Sequence, residues 1–484
     1  METLRHCFPP NLRQFLNELP ESLDETYERI LRGINKAQKE DARRLLQCLT
    51  VAARPLRVEE LAELLAFDFR ATSERGIPTL KKDWRWNDQE EAILSTCSSL
   101  IAIIRDGDSR VVQFSHFSVK EYLTSPRLAQ SRGDVSRFHI DLNAAHTILV
   151  QACLATLLQL DEHTGNSGSK GYPLAEYAAR HWVEHAQFES VSSRVWDGMV
   201  DLFDSSKPHF AAWLQVHDFD ERWARFSNGY PNGVGSPLYY AAFCGFHDLA
   251  GHLITKHPEQ VNARGGRSIA PLPAALSKKH FRVANLLRKH GAVVDVRDES
   301  GWTPLHAASD SDSVDIMRWL LDHGTDANTA TNYRATPLHM AAGNGSPRAV
   351  QLLLEHKPDV NSQNYAGETA LQWVISFGSL YPEKKVDVTW LLLDHGADPN
   401  IRDDSHSTPL HKASSSGRLD VARLLLSYGA NIDEKDMEGR TPLLVASAEG
   451  HHEMTKLLLE HGAVPKRPVG STSIGIESKR ARSI

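Results

Sequence analysis

The sequence is short of most features that would announce chemistry. Of 484 residues only five are cysteine (Cys7, Cys48, Cys97, Cys153 and Cys244), and no two are close in the chain. That excludes a compact Cys-based zinc site and a disulfide framework, and fits free thiols in a reducing compartment. Long apolar runs are missing as well. The longest, Ile148 to Leu160, is interrupted by Gln151, Thr156 and Gln159 and falls short of the roughly 20 residues a bilayer requires. The opening METLRHCFPPNLRQF has neither an apolar segment nor a small-residue cleavage site, so a cytoplasmic address is expected. There is no basic excess either: 54 Lys+Arg against 61 Asp+Glu leave a net charge of −7. A chain-wide nucleic-acid surface would need the opposite balance. At 41% hydrophobic the composition is that of a globular chain, with length for about three domains.

What the sequence does have is self-similarity. Seven segments align on a motif whose clearest copies read TPLH, with the proline position at Pro237, Pro271, Pro304, Pro337, Ala370, Pro409 and Pro442. Four residues later stand Ala241, Ala275, Ala308, Ala341, Val374, Ala413 and Ala446. Each copy closes on a Leu-rich run and, in five of them, a glycine: Gly291, Gly324, Gly396, Gly429 or Gly462. The pattern has a physical logic. Thr303, Thr336, Thr408 and Thr441 suit helix N-caps, and the next residue, proline, is preset for the first helical turn. The small residue lets helices approach, the leucines fill the space between copies, and the glycine suits a left-handed C-cap. Asn328, Asn361, Asn400 and Asp433, which follow, suit turns.

TPLHAAS, TPLHMAAGNG, TPLHKASSSG and TPLLVASAEG resemble the ankyrin repeat, and the resemblance covers residues 236–463. It implies a stack of helix pairs with a concave binding surface. The first two copies are degenerate, with Ser236 and Ala270 in the threonine position and Arg288 interrupting the leucines. In the fifth copy the closing glycine comes six residues late, which places an insertion, SLYPEKKVD, between its two helices. A loop is expected there, carrying Tyr381, Lys384 and Lys385 as candidate contacts.

The other half reads differently. LPESLDETYERIL has Ser22 and Glu25 at capping-box spacing. ARRLLQCLTVAARPLRVEELAELLAF gives two helices broken at Arg54-Pro55, EEAILSTCSSL a third, and IAIIRDGDSRVVQF two strand-like runs around Asp106-Gly107, followed by a helix from Phe117. Helices followed by a hairpin form a winged-helix pattern. Its third helix has two acids and no Lys or Arg, so packing rather than DNA reading is expected. From Phe138 to Leu214 the chain reads as helical. LPESLDETYERIL, LLQCLTVAARPLRVEELAELLA, VQFSHFSVKEYLTS, YAARHWVEHAQF and KPHFAAWL resemble the region that follows the nucleotide-binding NACHT module in fungal NACHT-ankyrin proteins, NLR-like members of the STAND class of signalling ATPases.

That family carries a GxxxxGK[ST] P-loop upstream, and none occurs here. The nearest look-alike, GNSGSKG at Gly165–Gly171, lacks the Gly-Lys-Ser/Thr ending and reads as a loop. A truncated paralogue or a fragment of a longer gene would both look like this. Twenty-four histidines raise the question of metal or catalysis, but His306, His339 and His411 repeat in the TPLH slot, and His290, His323, His356, His395 and His461 repeat near helix ends. Repetition makes them structural. His181 and His185 have the spacing of a zinc pair without the HExxH glutamate, and no local nucleophile–base set is recognisable.

The expected fold is mainly α: a helical segment (1–37), a winged-helix-like domain with a β-hairpin (38–130), a helical domain (131–214), a linker (215–235), seven ankyrin repeats (236–463) and a basic tail (464–484) that admits nuclear import. The expected role is non-enzymatic recognition of a protein ligand, with no cofactor or metal, no nucleic acid and no membrane. An alternative is regulation of full-length NACHT paralogues through the N-terminal half. Contacts are expected from large side chains on the turn fingers and on the helix face after the TPLH slot: Trp302, Tyr333, Arg334, Met340, Tyr365, Gln372, Lys412, Met437 and Arg440.

Overall fold

A computed structural model describes residues 22–69, 76–97, 99–161, 171–217, 234–376 and 382–465. The GNSGSKG stretch up to residue 170, Cys7, Tyr381 and the tail from residue 466 lie outside these. The chain divides into two compact units, Met1–Lys256 and His257–Ile484. Among the described residues no helix is long and apolar enough to cross a membrane.

The first unit opens with α1 (Leu23–Gly33), capped by Ser22, whose hydroxyl accepts from the Glu25 N–H. There follow α2 (Lys39–Val51), β1 (Leu56–Arg57), α3 (Val58–Leu65), β2 (Phe67–Asp68), β3 (Thr79–Leu80), α4 (Gln89–Cys97), β4 (Ile101–Asp106) and β5 (Ser109–Phe114). Strands β4 and β5 form the expected hairpin, pairing Ile101 with Phe114 and Asp106 with Ser109. Gly107 turns it at φ +60°. Strand β1 adds to β5 in the order β1-β5-β4, which completes a winged-helix arrangement. The third helix, α4, buries Ala92, Ile93, Thr96 and Cys97, so its apolar face is used in packing. Short strands β2 and β3 were not apparent in the residue pattern.

Helices α5 (Phe117–Leu123) and α6 (Pro126–Ala129) lead to α7 (Leu142–Leu157), α8 (Ala175–Ala186), α9 (Val191–Arg194), α10 (Trp196–Leu202) and α11 (Pro208–Val216). The first repeat's helix pair, α12 (Pro237–Phe243) and α13 (His247–Lys256), belongs to the same unit. Its packing explains its degenerate sequence. Trp182 stacks on Phe246 at 5.4 Å, and Trp213 meets Tyr240 edge-on at 6.2 Å. Gln187 Nε2 donates to the Cys244 carbonyl at 2.5 Å. The aromatic residues of this copy thus face a Trp-rich partner.

The second unit holds six further helix pairs: α14 (Pro271–Ser277) with α15 (Phe281–Lys289), α16 (Pro304–Asp310) with α17 (Val314–Asp322), α18 (Pro337–Asn344) with α19 (Pro347–Glu355), α20 (Ala370–Ser376) with α21 (Pro382–Asp394), α22 (Pro409–Ser415) with α23 (Leu419–Ser427), and α24 (Pro442–Ala448) with α25 (His452–Glu460). The small residues four after each proline are buried, which permits the close helix approach. The closing glycines 291, 324, 396, 429 and 462 all sit at φ between +83° and +94°. In the fourth copy Lys357 takes that left-handed position at φ +51°.

The insertion departs from expectation. Much of it extends the second helix: α21 has 13 residues where α19 has 9. The added residues are the N-terminal turn, 382–385, and Val388, Leu392 and Leu393 in the rest of the helix are buried as in the other copies.

Candidate functional site

The fingers and first helices of the array come from local hydrogen bonding that repeats with the sequence. At each finger a short polar side chain accepts two backbone N–H groups. Asp298 Oδ1 accepts from Ser300 and Trp302, Thr331 Oγ1 from Tyr333 and Ala335, and Asn364 Oδ1 from Ala366 and Glu368. Adjacent fingers are then joined by single backbone bonds, Asn332 N–H to Ser300 O and Tyr365 N–H to Tyr333 O, both 2.9 Å. The finger apex is left-handed: Gly301, Gly367 and Gly439 occupy it, and so do Arg334 at φ +57° and His406 at φ +56°. At Gly301 a Cβ would lie 2.7 Å from the Asn332 backbone nitrogen, so the close finger contact requires glycine there.

Below each finger the TPLH histidine locks the helix start. Thr303 N–H donates to His306 Nδ1 at 3.2 Å, and His306 Nε2 donates to the Ala335 carbonyl of the next finger at 3.1 Å. His339 reaches Glu368 O and His411 reaches Arg440 O in the same way. Burial holds all three imidazoles below their ordinary range, His306 down to about 4. They are neutral structural pins. Likewise Asn361 and Asn400 do more than turn the chain, since each amide donates to the closing glycine carbonyl of the next copy.

On this frame the third, fourth and fifth repeats form one groove of about 710 Å³, lined by Trp302, Tyr333, Met340, Tyr365, Trp373 and Asp310, with Gly343, Asn344 and Asn364 between them. Tyr333 and Tyr365 are two-thirds exposed, at 66% and 67%. Of the residues singled out by pattern, the groove brings together Trp302, Tyr333, Met340 and Tyr365. Arg334, Met437 and Lys384 are exposed elsewhere. Lys412 is held by Glu368 at 3.1 Å and Asp403 at 2.8 Å, and Arg440 by Asp436 and Glu438.

Three expected contacts are buried: Met340, which still lines the groove, Gln372 and Lys385. Gln372 is fully buried: its Oε1 accepts from Thr369 N–H at 2.9 Å and its Nε2 donates to Ser407 O at 2.8 Å. It replaces the TPLH histidine bond for bond. Lys385 has no hydrogen-bond partner for its Nζ among the described residues. Burial and the nearby Arg418 push its pKa down to about 8. Thr441, read as a cap, makes no side-chain bond, because Leu444 occupies the slot that histidine fills elsewhere.

Trp373 and Asp310 also line the groove and are not among the residues that the pattern singles out. The signal for Trp373 was present: it stands one residue after the slot, as do Met340 and Lys412, whereas Gln372 is the slot itself. In the first unit His185 is committed on both sides, with Nε2 2.8 Å from Tyr177 OH and Nδ1 3.0 Å from His146 Nδ1. Burial pushes it down to about 3. Among the described residues no His/Cys/Asp/Glu cluster could hold a metal. Cys48, Cys97, Cys153 and Cys244 are buried free thiols, and burial raises Cys48 and Cys97 to about 12, far from a nucleophile's range.

The ankyrin-repeat model matches in three copies, residues 238–331, 324–403 and 381–468. A model described as the GPI inositol-deacylase winged helix domain matches residues 27–136. The Azaphilone pigments biosynthesis cluster protein L of Monascus ruber is 32% identical over 287 residues, 56% of this chain and 59% of that protein. The chain thus spans less than two thirds of that relative. Ankyrin repeats are non-catalytic interaction modules, and the C-terminal half of this chain is an array of them, preceded by a winged-helix domain similar to that of the GPI inositol-deacylase model.

Proposed function

We propose that this chain is a non-enzymatic recognition protein whose ankyrin array binds a protein ligand through the Trp302–Tyr365 groove, as the sensor or regulatory portion of an NLR-like signalling protein. One observation carries the reading: three successive repeats pool large aromatic side chains that the repeat fold does not require, and leave two of them exposed beside an open groove. Buried aromatic anchors in concave sites dominate recognition energetics. The winged-helix and helical segments then act as a docking or relay region, with the divisions given by pattern above. A cytoplasmic location belongs to the same reading.

The test is a pull-down with the full chain beside a Trp302→Ala, Tyr333→Ala, Tyr365→Ala variant whose circular dichroism matches the parent. A partner held by the parent and lost by the variant supports the reading. Partners retained equally by both place recognition elsewhere on the chain.

A further inference from the structure

The groove's chemistry narrows its occupant, given the reading just proposed that it binds a protein. We infer that it takes a lysine or arginine side chain projecting from an extended segment of the partner.

Four aromatic residues line it, and the only full charge among the described lining residues is the carboxylate of Asp310. Asp310 is exposed and has no ion-pair partner among the described residues. Among the described residues no lysine, arginine or histidine lines the groove. Glu299 adds acid on the finger that carries Trp302, and Glu368 on the next but one, although Glu368 already pairs with Lys412. Arg334 is the base on the finger between them. Aromatic π-systems attract a cation within about 6 Å of the ring, and a nearby carboxylate adds to that attraction. An acidic or purely aliphatic segment would leave Asp310 either repelled or desolvated without compensation.

The floor is lined by a residue that helix formation disfavours. Gly343 lies within α18, and a Cβ there would sit 3.4 Å from the Trp373 ring. Trp373 in turn is fixed by its Nε1 donating to Glu368 at 3.0 Å. Because the lining comes from three repeats, a free alkylammonium ion would fill only part of the space, whereas a side chain carried on an extended backbone can also lie across Tyr333 and Tyr365.

The experiment is selection of a random dodecapeptide display library on the full chain, followed by synthesis of the selected peptides and fluorescence-polarisation titration. Each peptide is compared with its single Lys/Arg→norleucine analogues on four proteins: the parent, Asp310→Asn, Gly343→Ala, and a Trp302→Ala, Tyr365→Ala double variant. The inference expects one basic position whose replacement weakens binding about tenfold, a similar loss in the double variant, and a loss of about threefold in Asp310→Asn. Gly343→Ala is expected to weaken the peptide while melting no lower than the parent, which separates narrowing of the groove from damage to the fold. Peptides that need Trp302 and Tyr365 but bind equally well with norleucine overturn the cationic occupant and leave protein recognition by the groove standing. If no peptide depends on Trp302 and Tyr365, both readings fail.

Discussion

His306→Gln should remove one histidine's share of the array's acid sensitivity without weakening it at neutral pH. In the parent, His306 is buried and neutral, its Nδ1 accepting from Thr303 and its Nε2 donating to Ala335. Its folded pKa is pushed down to about 4 by burial, against about 6.5 in an unfolded chain. The unfolded state therefore binds a proton first as the pH falls. The histidine's contribution is complete above about pH 6.5 and declines between there and pH 4. From pH 7.5 to 5.5 the loss is about 1 kcal/mol for this one group, and His339 and His411 act in the same direction. Glutamine cannot titrate, and the fifth repeat shows that it makes both bonds in this slot, through Gln372 to Thr369 and Ser407. The assay is urea unfolding at pH 7.5 and 5.5, followed by circular dichroism. The variant should match the parent within about 0.5 kcal/mol at pH 7.5, in keeping with a swap that preserves the hydrogen bonds, and lose about 1 kcal/mol less on acidification. Equal pH dependence in the two proteins would refute the reasoning, and so would a loss of several kcal/mol at pH 7.5.

Other substitutions probe separate features. Gln372→Leu strands the Thr369 N–H and the Ser407 carbonyl in the interior and should cost about 2–4 kcal/mol in the same urea assay. Lys357→Gly relieves a left-handed lysine at a position where five other copies have glycine, and should raise stability by up to about 1 kcal/mol. Lys385→Met replaces a buried ammonium that has no hydrogen-bond partner among the described residues with an apolar chain of similar length, and a thermal melt should show a gain of about 1 kcal/mol. Trp213→Ala empties the centre of the cluster formed with Trp182, Phe203 and Tyr240, and should destabilise the first unit by about 3–5 kcal/mol.

Much of this molecule could be read from residue order because its local rules repeat. The TPLH caps, the small residues after them and the closing glycines each have one physical job, and a single copy seen clearly stands for the rest. The β4–β5 hairpin was equally legible, since two β-rich runs flank Asp106-Gly107 and no competing helical period covers them. Failures arose where one residue does the job of another type. Gln372 has a size and polarity suited to a contact surface, but its place in the Thr369-Ala370-Leu371-Gln372 register makes it a histidine substitute. Moving one position along gives Trp373, which does reach the groove. Lys385 misleads for a related reason. A lysine in an inserted stretch is ordinarily solvated, and only the added turn of α21 carries it inward.

The groove itself lies at the limit of what one sequence can disclose. Trp302, Tyr333 and Tyr365 stand two, four and five residues before the proline position of their copies, so the period places all three on fingers but not in one register. That they meet Trp373 over Gly343 and beside an unpaired Asp310 depends on how far successive fingers close on one another. That closure is set by the single backbone bond between each pair of tips and by the left-handed apex that permits it. Ligand chemistry in such an array is therefore written in the residues just after the slot and at the finger tips, while the slot itself reports only on folding. A change of partner could accordingly be made at the exposed Tyr333 or Tyr365 with little effect on stability, whereas a change at His306, His339, Gln372 or His411 alters the frame that holds them.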